Sequence, residues 1–253
     1  MKNFTSLIKE TFHIYKLKLK PILLLVFLEI ILGAILMLVI FGSIFSAFML
    51  KGQASSLAII IQKILTYFFL LSPFLFMFCF FYLFAASLVL VMKPVGVSLK
   101  EVLKETWKNY WNYLIIGVLV FIFVSLGFVF LIIPGLILSI YLSFSLYVCA
   151  DEKKKGMEAI KRSWNLVKGN WWQVFGRMLM LIILTIIIAI GINAFGENYS
   201  GPFFDLLGSF IILLVQAFGS FFSMIYMYLI YLDLKKSKEI QTTIPSIEEK
   251  VSI

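Results

Sequence analysis

Six apolar runs, most of them long enough to cross a bilayer, fill this chain and leave it few ways to fold. They cover about 21–50, 64–92, 111–132, 136–150, 171–195 and 203–232. A hydrocarbon core ~30 Å thick takes ~20 helical residues at ~1.5 Å each, so only the fourth run is short. No water reaches backbone amides in lipid, which leaves the helix as the natural way for such runs to satisfy them. The expected class is an all-α membrane protein with about six transmembrane helices. They form three hairpins, each preceded by a cytoplasmic amphipathic interfacial helix. Of 253 residues, 62% are hydrophobic and 14% charged, so 1–232 reads as one six-span domain without room for a soluble catalytic one. Residues 233–253 read as a polar cytoplasmic tail, partly disordered. The start of the chain is charged and carries no pattern of a cleavable signal.

The charge sets the orientation. There are 22 Lys and Arg against 13 Asp and Glu, a net +9. In a soluble protein that excess would point to nucleic acid; here the cations flank the apolar runs, and no nucleic-acid partner is expected. Only Lys51 and Lys63 follow the first span, and the loops at 132–136 and 195–203 hold none. The other 20 fall on the opposite side. By the positive-inside bias both termini and the three amphipathic segments face the cytoplasm.

Those segments are 3–19, 99–110 and 156–170. In the third, Met157, Ile160, Trp164, Val167 and Trp171 recur at spacings of three and four, with Glu158, Lys161, Arg162, Asn165 and Lys168 opposite. Such a pattern predicts a helix lying in the membrane interface, broken at Gly169-Asn170, with Trp171-Trp172 at the mouth of the next span. Aligned, the three segments read Ile8-Lys-Glu-Thr-Phe12, Leu103-Lys-Glu-Thr-Trp107 and Ile160-Lys-Arg-Ser-Trp164. Each gives aliphatic, lysine, charged, hydroxyl, aromatic, then a hairpin. A threefold repeat over 1–92, 93–150 and 151–232 is expected.

Inside the spans, Glu29 lies ~13 Å deep on this reading, and Gln216 is similarly central. Ionisable and strongly polar groups at that depth are costly and often functional. Arg177, about one turn into the fifth span, is placed to snorkel. Gly42/Ser46 and Gly219/Ser223 fit close helix packing. Cys79 and Cys149 read as small core residues. Pro73 predicts a kink, and Pro134-Gly135 a tight break.

Enzyme chemistry lacks its parts. His13 is the only histidine, and there is no Gly-x-Ser-x-Gly elbow, P-loop or paired-cysteine site. No catalytic residue, cofactor or metal site is expected.

The run Ala159-Ile-Lys-Arg-Ser-Trp-Asn-Leu-Val-Lys-Gly-Asn-Trp-Trp-Gln-Val-Phe-Gly176 resembles a stretch in a loose bacterial group. That group holds the YciC-like inner-membrane proteins and the membrane domain ahead of some glycerophosphodiester phosphodiesterases. The resemblance implies a helical inner-membrane domain without assigned chemistry. This chain lacks the phosphodiesterase domain, so that activity is not carried over.

Two functions follow as expectations. One is a non-enzymatic module that binds anionic phospholipid headgroups or a membrane-protein partner, a second copy included, through Lys161, Arg162, Trp164, Lys168, Trp171, Trp172, Lys104 and Trp107. The alternative is a small-solute or ion pathway using Glu29 and Gln216.

Overall fold

The computed structural model describes residues 3–49, 56–196 and 202–251. Nine helices occupy them: α1 (Phe4–Leu17), α2 (Leu19–Met49), α3 (Ser56–Met92), α4 (Leu99–Phe130), α5 (Ile132–Leu142), α6 (Ser145–Glu152), α7 (Gly156–Val167), α8 (Trp171–Gly196) and α9 (Pro202–Val251). Among the described residues there is no strand. Six stretches are long and apolar enough to cross a membrane, with α5 and α6 together making one of them. The chain is an all-α, multi-pass membrane protein. The loop expected at 51–56 lies outside the described residues except for Ser56, as do 197–201 of the loop between α8 and α9.

The helix boundaries correct several expectations. The second amphipathic segment is not a separate helix but the first three turns of α4, which has 32 residues. Such a helix is ~48 Å long, ~18 Å more than the hydrocarbon core, and that surplus matches its polar start. The turn after α4 falls at Leu131, whose backbone is extended, and Pro134 sits inside the first turn of α5 where its missing N–H costs nothing. Gly135 instead serves packing: a Cβ there would meet the Phe128 ring at 2.5 Å, so only glycine lets α5 lie this close to α4. Gly42 and Gly219 have open space where a Cβ would stand, so the close packing expected at those pairs is absent among the described residues. The fourth span is interrupted at Ser143-Phe144. Pro73 lies well within α3. Past Asp233, α9 continues as helix to Val251. Lysines and glutamates favour helix intrinsically, and the apolar part of α9 supplies the nucleus.

The core gathers towards one end of the bundle. Leu88 to Val91 of α3, Tyr113 and Ile116 of α4, Phe144 and Val148, Ala159 and Leu166 of α7, and Ile225, Tyr226 and Ile230 of α9 are all buried together. By contrast α8 leaves Ile182, Ile183, Ile186, Ile187 and Ile190 exposed, as suits a helix whose solvent is lipid. Cys149 is buried, but Cys79 is exposed on the outside of α3 and is not a core residue.

Helix α1 crosses this core end. Phe4 meets Tyr226 at 6.2 Å between ring centroids, while Phe12 and Tyr15 both meet Phe222. Some three turns of α1 thus cover one turn of α9, so α1 runs across α9 and not along it. Gln216 lies six to ten residues beyond that crossing, ~9–15 Å along α9.

Candidate functional site

The three motif copies are buried in one register. Thr11, Thr106 and Ser163 are each fully buried, as are Leu7, Val102 and Ala159 four residues before them. The lysine two positions before each hydroxyl (Lys9, Lys104, Lys161) is exposed, and so is the aromatic residue just after it. Phe12 is 54% exposed, Trp107 64% and Trp164 38%. The charged residue between lysine and hydroxyl is half-buried in every copy. Helical periodicity explains the pattern: hydroxyl and i−4 residue share the protein face, lysine and aromatic at i, i+3 share the outer one.

The hydroxyls differ in what they bond. Thr11 and Thr106 donate to their own helix, to Leu7 O at 2.7 Å and Val102 O at 2.8 Å. Ser163 Oγ donates to Tyr141 O of α5 at 2.7 Å and accepts the Phe144 N–H at 3.2 Å. It closes the break between α5 and α6, and Trp164 stacks on Tyr141 beside it at 4.0 Å.

Two of these half-buried charges, Glu105 and Arg162, converge on the end of α6. Glu105 of α4 takes Lys93 at 2.6 Å and Lys153 at 2.8 Å. Arg162 of α7 reaches Glu152 at 3.0 Å, and Lys154 joins it at 3.1 Å. Asp151 accepts from Lys235 at 2.6 Å and from the Tyr231 hydroxyl at 2.8 Å, both on α9. Three helices, α4, α7 and α9, are therefore tied to three consecutive residues, 151–153. Lys153 turns the chain there with a left-handed backbone, φ 56°. A cavity of about 200 Å³ opens among them, lined by Val89, Met92, Lys93, Glu105, Ala150, Asp151 and Lys153. No group of three His, Cys, Asp or Glu placed to hold a metal ion occurs among the described residues.

Lys18, between α1 and α2, is a further participant that no periodicity marks. It is buried, and its ammonium donates to Leu90 O at 2.9 Å, Val91 O at 2.6 Å and Lys93 O. Those carbonyls end α3 without helical partners, and the negative end of the helix dipole favours a cation there. Burial works against the charge and brings the Lys18 amine down to about 8.

The sequence-predicted residues are not one site. Lys104, Lys161 and Lys168 stand exposed, and no ion pair forms on any of them among the described residues; Trp107 and Trp172 are exposed beside them. Arg162 is not available, being held by Glu152. The predicted apolar stripe of α7 is rotated: Ala159, Ile160, Ser163, Leu166 and Val167 are buried, whereas Met157 and Trp164 face outwards. Ala159 and Ser163 let α7 approach protein closely with Ile160, Leu166 and Val167 buried beside them, and Met157 and Trp164 are left to the surroundings. Trp171 is half-buried, stacked on Phe175, with its indole N–H buried and without a partner among the described residues. Arg177 does not snorkel but pairs with Asp233 at 2.9 Å.

The two intramembrane groups stand apart. Gln216 lines a groove of about 330 Å³ between α8 and α9, with Thr185, Ala189, Gly219, Ser220 and Ser223 among its neighbours. The serine and threonine hydroxyls there bond to their own helices, but the Gln216 amide has no partner among the described residues. Glu29 on α2 is half-buried, does not line that groove and has no ion pair or hydrogen bond among the described residues.

Residues 113–234 match the model of a domain of unknown function, DUF7847, over just under half of the chain. The match takes in the third motif copy and the α6 junction and excludes the first two copies. No curated protein and no solved structure matches the chain.

Proposed function

We propose that this protein is a non-enzymatic module of the bacterial cell membrane that binds lipid headgroups or a partner protein through the basic end of its bundle. One observation carries the reading. Glu105, Asp151 and Glu152 are all occupied by cations or a tyrosine, while Lys104, Lys161 and Lys168 are not paired with any described acid. The carboxylates are committed to holding helices together, and the surplus positive charge points outwards, where each lysine near an anionic surface contributes ~1 kcal/mol. The positive-inside bias puts this end, and both termini, in the cytoplasm. The common burial register favours descent from one repeated unit. The run at 159–176 favours kinship with YciC-like proteins and the phosphodiesterase-linked membrane domains.

The test is native mass spectrometry of the protein purified in mild detergent, with and without Lys161→Glu and Lys168→Glu. The wild type should retain anionic phospholipid or a co-purifying protein, and the variant should lose it. An unchanged set of bound species defeats the reading.

The groove at Gln216 favours a second reading, a small-solute pathway, because an unpartnered amide at membrane depth is costly. In that case Gln216→Leu abolishes uptake in proteoliposomes. Uptake equal to that of the wild type removes this reading.

A further inference from the structure

We infer that each motif copy forms one phospholipid-headgroup site, three per chain, made by the outward lysine and the aromatic residue three positions after it. The pairs are Lys9 with Phe12, Lys104 with Trp107, and Lys161 with Trp164. This inference rests on the reading that the basic end of the bundle binds headgroups, and it names the ligand and the residues.

Three features of the molecule lead there. First, residues at i and i+3 on a helix are neighbours, with ~5–6 Å between their Cβ atoms, so each pair sets a lysine and a ring side by side on one helical face; at Phe12 a further lysine, Lys16, lies over the ring at 5.8 Å. The buried hydroxyl and the buried i−4 residue fix the opposite face of each helix on protein, which prevents the pair from rolling inwards. The same five positions behave alike in three helices, one of them the start of a long span and two of them short.

Second, the three pairs stand at the same end of the bundle. Lys18, at the end of α1, is seated on the carbonyls of Leu90, Val91 and Lys93. Lys93 in turn holds Glu105 of α4, Glu105 holds Lys153, and the neighbouring Glu152 holds Arg162 of α7. Phospholipids in one leaflet would meet all three.

Third, the surroundings of the rings favour lipid over an acidic protein surface. From Trp107 an exposed apolar stripe continues along α4 through Trp111, Ile115 and Val118 into the span. A ligand whose phosphate meets the lysine and whose acyl chain follows such a stripe satisfies both halves of the surface. Aromatic residues prefer this depth because one part of the ring is apolar and the other tolerates water. Arg162 and Glu105 are excluded as headgroup ligands since each already serves the α6 junction.

The test uses the full chain in detergent, titrated with phosphatidylglycerol or phosphatidylcholine and read by native mass spectrometry. One variant carries Lys9→Gln, Lys104→Gln and Lys161→Gln. A charge-matched control carries Lys100→Gln, Lys155→Gln and Lys236→Gln, exposed lysines without an aromatic residue three positions on. The wild type should bind up to three phosphatidylglycerol molecules more tightly than phosphatidylcholine. The first variant should weaken each by about fivefold, and the control should keep them. An unchanged melting temperature shows that both variants are folded. Equal weakening in both variants overturns the three sites and leaves a diffuse basic surface, so the broader reading survives. A wild type that does not prefer phosphatidylglycerol overturns the sites together with the lipid arm of that reading. A co-purifying protein lost only from the first variant, with lipid unchanged, overturns the sites in favour of a protein partner.

Discussion

The second and third motif copies share every burial class from the i−4 residue to the aromatic, apart from one aliphatic position, yet they are built into the bundle differently. Thr106 sits in an unbroken helix and bonds back to Val102, whose carbonyl already has a helical partner. Ser163 sits in a helix of 12 residues and bonds to the separate α5–α6 segment, where the Phe144 N–H depends on it. The same residue type at the same register is therefore surplus in one copy and structural in the other. What a hydroxyl contributes is decided by whether its partner has another option.

The sharpest way to break this comparison is to remove both hydroxyls. Ser163→Ala strands a buried backbone donor and should cost ~1–3 kcal/mol in thermal unfolding in detergent. Thr106→Val keeps shape and strands nothing, so it should cost under ~1 kcal/mol. Equal losses would mean that the two copies are held in the same way. A smaller difference should separate the aromatics. Trp164→Leu breaks a 4.0 Å stack on Tyr141 and should cost ~0.5–1.5 kcal/mol beyond lost area. Trp107 meets Tyr82 edge-on at 5.7 Å and Tyr110 at 6.2 Å while more of it is exposed, so Trp107→Leu should cost less. Scanning calorimetry of both proteins distinguishes them, and a larger loss for Trp107→Leu contradicts the packing described. The smallest effects belong to the ion pairs, and here the order reverses. Glu105→Gln removes the partner of two lysines, whereas Arg162→Gln leaves Glu152 with Lys154. Partly exposed pairs contribute ~0.2–1 kcal/mol, so Glu105→Gln should lie near the top of that range and fade in high salt. A loss that persists in molar salt would point to packing as the source.

Span number and class were legible because hydropathy over twenty residues reports directly on what a bilayer permits. That hydroxyl and lysine fall on opposite helical faces follows from spacing alone, but spacing did not say that the aromatic residue would share the lysine's face. Nor was the buried face of α7 legible. Hydrophobicity says that Met157 and Trp164 avoid water, but a membrane offers lipid as well as protein for that purpose. The choice fell to Ala159 and Ser163, which are small enough for close approach. Ion partners were also hidden. Arg162 and Glu152 are ten residues apart with a loop between, and Glu105 and Lys153 are 48 apart. Nothing in the local sequence pairs them. Lys18 looked like one of several juxtamembrane cations, and only the fold shows that the end of α3 lies above it. The groove at Gln216 arises from the spacing between α8 and α9, which no single-helix pattern contains.

The seating of α1 bears on the order in which the chain is made. It leaves the ribosome first among the described helices, but its partners come much later: the carbonyls at Leu90 to Lys93, then Phe222 and Tyr226 on α9. Until those exist, Leu7 and Thr11 have nothing to cover them. Contacts of such sequence separation form slowly, because the intervening chain must be ordered first. α1 therefore cannot complete its contacts until α9 has been made, so a helix synthesised early is finished only by one synthesised late.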